Sequence, residues 1–91
     1  MGLKYTTSCL GYQQITSLSS ATALTIPQGA TRALIAPSTQ SVRWRDDGTN
    51  PSASVGMPLA AGSYLSYDGS LSSVRFIETA ASAELNITYY A

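Results

Sequence analysis

Hydrophobic and polar residues alternate along most of the chain, and no window carries the apolar stripe of a helix. The alternation is strict in QSVRWRD, where Val42 and Trp44 fall on one face and Arg43 and Arg45 on the other. Successive side chains of a β-strand point to opposite sides of a sheet, so we expect Trp44 to face the core. Neither arginine should then be needed for that core.

Similar patterns predict further strands, each bounded by Gly, Pro, Asn or Asp. They are TALTI at 22–26, RALIAP at 32–37, SYLSYD at 63–68, SVRFIE at 73–78 and AELNITYY at 83–90. In AELNITYY, Leu85, Ile87 and Tyr89 are predicted to face inward. Turns at intervals of about ten residues are typical of antiparallel sandwiches and barrels. The predicted fold class is therefore all-β: a small antiparallel β-sandwich or jelly-roll-like barrel of roughly six to eight short strands.

The length of 91 residues allows a single domain. We assign residues 22–91 to the sandwich and residues 1–21, whose pattern is weaker, to an N-terminal arm or edge strand. Within 1–21, SCLGYQQITSL could line a sheet edge or reach a neighbouring subunit. A chain this short hides only about 60–65% of its unfolded surface, so we expect a homo-oligomer that buries more.

Charge excludes some classes of partner. The formal net charge is zero, and charged residues make up only 11% of the chain, against roughly 25% in ordinary soluble domains. Binding to nucleic acid or to a membrane surface needs a cationic excess, so neither partner is expected. A weakly charged surface instead favours lasting contact with other protein.

The segment VRWRDDGTNPSASVGM concentrates the charges and holds the only tryptophan. A catalytic interpretation is disfavoured because Asp46 and Asp47 are neighbours that point to opposite faces, and the chain has no histidine to act as a base. We therefore predict no catalytic residues and no enzyme activity. The oxygen-rich DDGTN lacks the spacing of an EF-hand, and we predict no metal and no cofactor.

Two interpretations of this segment stay open. It can be a hairpin corner, with Trp44, Gly48, Pro51 and Gly56 as candidate core and turn residues, since Asp47–Gly48 is a strong turn dipeptide. It can also be a corner that docks onto another protein, because Arg and Trp often anchor interfaces. The candidate interface residues are Arg43, Arg45, Asp46 and Asp47.

A longer pattern resembles a widespread group of small tailed-bacteriophage virion proteins. Its parts are an arginine-flanked aromatic, the run DGT-x-P-(S/T)-x-(S/T)-x-G-(M/I)-x-L-x-A-G, a short strand, and a final (A/S)-x-L-N-(I/V)-(S/T)-Y-Y. In this chain they are Arg43 to Arg45, Asp47 to Pro51, Gly56 to Gly62, Val74 to Glu78, and Ala83 to Tyr90. With IPQGATRALIAP upstream, the likeness covers roughly residues 22–90.

The resemblance implies a non-enzymatic structural component of a virion that is assembled in the host bacterial cytoplasm. Its expected role is a capsid decoration (cement) protein that binds and stabilises the head shell, with the major capsid protein or other virion proteins as partners. A neck or tail accessory protein is an alternative. A further alternative is a module for host carbohydrate that uses Tyr64, Tyr67 and Tyr90.

Overall fold

The computed structural model describes residues 8–91, which form eight β-strands and no helix. The strands are β1 Cys9–Ile15, β2 Thr22–Ala23, β3 Arg32–Ser38, β4 Val42–Arg45, β5 Met57–Leu59, β6 Leu65–Tyr67, β7 Arg75–Glu78 and β8 Glu84–Tyr90. The all-β class predicted from the sequence is confirmed. The part of the N-terminal segment that precedes residue 8 lies outside the described residues.

The strands form two four-stranded antiparallel sheets, with orders β1-β8-β3-β6 and β2-β7-β4-β5. The strands form one long antiparallel ribbon in which β1–β4 are one arm and β5–β8 the other. The two arms pair as β1·β8, β2·β7, β3·β6 and β4·β5. The pairs β3·β8 and β4·β7 then close the rolled ribbon into two facing sheets. An eight-stranded ribbon rolled into two sheets is the jelly-roll arrangement.

Two strands depart from the sequence-based expectation. The strand predicted over 22–26 is only two residues long, and beyond its end the Thr25 N–H binds the Gln13 side chain. β5, which the pattern did not predict, contains Pro58. A proline lacks the N–H of a ladder bond and is tolerated at a sheet edge, which is where β5 lies.

The core lies between the sheets and follows the predicted alternation. Leu85, Ile87 and Tyr89 are buried in β8, and the residues between them are only partly buried. Ile15 and Leu18 also belong to the core. β1, an edge strand, and the residues that follow it therefore contribute to the same core as the later strands.

Candidate functional site

An ion pair between Arg45 and Asp47 holds the corner that follows β4. Arg45 donates from Nε to Asp47 Oδ1 at 3.0 Å and from Nη2 to Asp47 Oδ2 at 2.5 Å. These two hydrogen bonds hold the pKa of the Asp47 carboxyl below its usual range and raise the pKa of Arg45. The pair is exposed, so it adds little stability, but its two parallel bonds set the direction of both side chains.

The neighbouring carboxylate of Asp46 turns to the other sheet. The Tyr67 hydroxyl on β6 donates to Asp46 Oδ2 at 2.6 Å and also lies 3.3 Å from the Ser70 carbonyl oxygen. Burial, reinforced by the bond to Asp46, raises the pKa of Tyr67 to about 12. The Tyr67 ring packs edge-on against Trp44, with centroids 5.8 Å apart. Tyr67 thus ties the end of β4 to the opposite sheet.

Arg43 holds the loop that returns from the corner. Its Nε donates to the Ala53 carbonyl at 3.1 Å, and its Nη1 donates to the Gly56 carbonyl at 2.9 Å. Within the loop, Ser52 and Val55 exchange backbone hydrogen bonds of 2.8 and 3.3 Å. Arg43, a candidate interface residue, is therefore a positioning residue for this loop.

Gly56 closes this arrangement because only a residue without a side chain fits there. Its φ is +144°, in a region that side chains rarely adopt. A Cβ at this position would lie 3.1 Å from both Arg43 Cβ and Pro51 Cβ, and 3.2 Å from the Trp44 carbonyl oxygen. The loop can pack this closely on β4 only with glycine at residue 56.

The result is an open groove of about 520 Å³, lined by Trp44, Arg45, Asp46, Asp47, Val55, Gly56 and Met57. We call it the corner groove. Val55 is 53% exposed and Met57 is 56% exposed, so two apolar side chains stand in solvent on one wall. Trp44 packs against the core on the predicted face but is only partly buried, because the groove opens beside it. The corner groove thus combines apolar walls with an ion pair fixed at its rim.

The structure distributes the candidate residues as follows. Arg45, Asp46 and Asp47 line the corner groove, whereas Arg43 lies behind it. Pro51, which belongs to the loop between β4 and β5, is buried. Gly48, with φ of +89°, belongs to the turn and borders a smaller depression of about 180 Å³.

Sequence reasoning missed three members of the site. Val55 and Met57 follow no alternating pattern that would mark them as exposed, and isolated apolar residues in a loop carry no signal of their own. The sequence indicated Tyr67 only as one of three tyrosines that could bind host carbohydrate. Its pairing with Asp46 joins residues of two sheets, which no local pattern reveals.

The three tyrosines do not form one platform. Tyr67 is buried and faces the core, and Tyr64 is 71% exposed in the connection before β6. Tyr90 lies on the outer side of β8, with the Arg32 guanidinium 5.5 Å from its ring centroid. The aromatic ring that lines the corner groove is that of Trp44.

Residues 8–91 contain neither a cluster of metal-ligating side chains nor a membrane-spanning helix. No three His, Cys, Asp or Glu side chains lie together there in an arrangement that could hold a metal ion. The same residues contain no helix of the length and apolar character needed to cross a membrane.

Comparison with known proteins adds no relative: no family model, no curated protein and no solved structure matches the chain. The features that bear on function are therefore the corner groove, the fold and the sequence pattern.

Proposed function

We propose that this protein is a non-enzymatic structural component of a tailed-phage virion, and that it is a decoration protein that binds the head shell through the corner groove. The observation that carries the proposal is the groove itself. Trp44, Val55 and Met57 present apolar surface, and the Arg45–Asp47 pair stands beside them. Trp, Met and Arg are enriched at protein interfaces.

The way the groove is held also supports a binding role. Arg43 bonds to the Ala53 and Gly56 carbonyls, and Tyr67 bonds to Asp46, so the walls are ordered before any partner arrives. Binding loses less free energy when the surface is already ordered in its bound shape.

The fold and the surface agree with this proposal. Jelly rolls recur in viral capsid domains, although a fold by itself does not define a function. Only 11% of the residues are charged, which suits a protein that is covered by neighbours on a particle. The resemblance of residues 22–90 to small virion proteins names the partner class: the major capsid protein or another virion protein.

A second candidate is a carbohydrate-binding module. The Trp44 ring borders a groove of about 520 Å³ beside Asp46 and Asp47, and grooves of roughly 300–1,000 Å³ suit small molecules. Jelly rolls also occur among lectins. Incubation of the purified protein with host cells or their surface polysaccharide separates the candidates, because retention that free sugar competes away would favour this second function.

The first test is to measure the copy number of the chain in purified particles of the phage that encodes it. Quantitative gel analysis should find hundreds of copies for a decoration protein. About a dozen copies or fewer would assign the protein to the neck or tail. Absence from the particle would overturn the virion proposal.

A further inference from the structure

The four edge strands of the two sheets differ sharply in length. β2, β5 and β6 are two or three residues long, whereas β1 has seven residues. An edge strand presents unpaired backbone N–H and C=O groups that can bind another strand. Proteins usually keep such edges short, and β1 is the exception in this sandwich.

β1 also lacks the usual protection of an exposed edge. Natural edge strands carry charged residues, prolines or bulges that prevent pairing, and β5 contains Pro58. The sequence of β1, CLGYQQI, has neither a charge nor a proline. Its one irregularity, between Cys9 and Gly11, leaves Gly11 to Ile15 in regular register with β8.

The outer edge of β1 has no backbone partner within residues 8–91. Its only ladder is with β8, and none of the backbone hydrogen bonds of turns and loops reaches it. In an antiparallel ladder every second residue directs its N–H and C=O away from the neighbour. The Gln13 side chain accepts from Thr25 N–H at 3.1 Å and from the Tyr89 hydroxyl at 2.7 Å. Side-chain contacts thus hold the strand, while no backbone group among residues 8–91 pairs with its outer edge.

We propose that β1 pairs antiparallel with β1 of a second copy of this chain, so that two four-stranded sheets become one continuous eight-stranded sheet. Antiparallel pairing of identical strands creates a two-fold axis and a self-complementary interface. Like charges opposite each other would oppose such pairing, and β1 has none. Leu10 and Tyr12, 36% and 62% exposed, would be covered by the second copy.

In such a dimer the two-fold axis should lie near the middle of residues 11–15, the part of β1 that is in regular register with β8. With the axis at Tyr12, each Tyr12 faces the same residue of the second copy; with the axis at Gln13, Tyr12 faces Gln14. Both registers keep Gln13 and Ile15 on the core side, where they lie in the single chain. In either register, the double variant Tyr12→Lys/Gln14→Lys places lysines of the two copies directly opposite each other.

The test is the mass of the full-length protein in solution, measured by sedimentation and light scattering without particles. The wild type should be a dimer. Tyr12→Lys/Gln14→Lys should weaken dimerisation by at least about tenfold. The matched control Leu34→Lys/Tyr64→Lys adds the same charges at exposed positions away from the β1 edge and should remain dimeric. A monomeric wild type, or a dimer equally stable in both variants, would overturn the proposal.

Cross-linking identifies the strand directly. In a Cys9→Ser background, Tyr12→Cys should form a disulfide-linked dimer by itself, or with Gln14→Cys when the axis lies at Gln13. Tyr64→Cys is the matched control and should remain uncross-linked. A dimer in which none of the β1 cysteines cross-links would show that another surface is used. Because no particle is present, either result is independent of shell binding.

Discussion

The substitution Gly56→Ala adds one carbon and should displace the loop that forms a wall of the corner groove. Alanine there would place its Cβ 3.1 Å from Arg43 Cβ and from Pro51 Cβ. Neither contact is with the end of a flexible side chain, so the loop itself would have to move. The backbone would also be strained, because φ is +144°.

The expected cost of Gly56→Ala follows from these two effects. A residue held in a sparsely populated backbone region costs about 1–3 kcal/mol, and overpacking adds about 1–3 kcal/mol. The sum, about 2–6 kcal/mol, is large beside the roughly 5–15 kcal/mol of a whole domain. For a chain of this size it corresponds to a fall in Tm of at least about 10 °C.

Gly62→Ala is the matched control. Gly62 has φ of +87°, but no atom lies within 4 Å of the Cβ that alanine would add. Only the backbone strain remains, about 1–2 kcal/mol. Thermal unfolding followed by circular dichroism should therefore rank wild type above Gly62→Ala and Gly62→Ala above Gly56→Ala. Equal Tm values for the two variants would refute the close packing of the loop on β4.

Other perturbations probe the supports of the groove and the core. Arg43→Ala should cost about 1–2 kcal/mol in urea unfolding, because it leaves two backbone carbonyls without their charged donor, and Arg43→Lys should recover only part; no loss in either variant would contradict the role of Arg43. Phe76→Ala should cost about 3–5 kcal/mol and Trp44→Ala less, because Phe76 is fully buried and Trp44 only partly; the reverse order would place Trp44 in the core. Burial raises the pKa of Tyr89 to about 12, as it does for Tyr67. The unfolded chain loses these protons near pH 10, so the free energy of unfolding should be steady below pH 10 and fall between about pH 10 and 12. Tyr89→Phe should make that fall shallower, and an unchanged slope would argue against the raised pKa.

The fold was largely predictable from local patterns. Alternation in AELNITYY and SVRFIE places the same residues inward that the structure buries, such as Phe76 and Ile87. β5 was not predictable in this way, since three residues with a proline carry no alternation. β2 is also shorter than its alternation predicted, and the Thr25 N–H beyond its end binds the distant Gln13 side chain, a contact that no local pattern reveals.

The site was predictable only in part. The charged residues of the corner stood out by composition, and Arg45, Asp46 and Asp47 do line the groove. Arg45 and Asp47 pair with each other within the corner, whereas the partner of Asp46 lies on the other sheet, so the bond from Tyr67 to Asp46 could not be foreseen. Arg43 was expected on the face of β4 opposite Trp44, but its bonds to the Ala53 and Gly56 carbonyls of the returning loop carried no signal in the sequence.

The central claim is that the corner groove binds the virion shell. The most direct measurement is cosedimentation of purified protein with phage particles that lack it, compared among wild type, Val55→Asp, Met57→Asp and the control Tyr64→Asp. Val55 and Met57 are exposed, so their variants should keep the wild-type Tm while their affinity falls by about tenfold or more, as for interface anchors. Tyr64→Asp should bind like the wild type. Wild-type affinity in both Val55→Asp and Met57→Asp would contradict the claim.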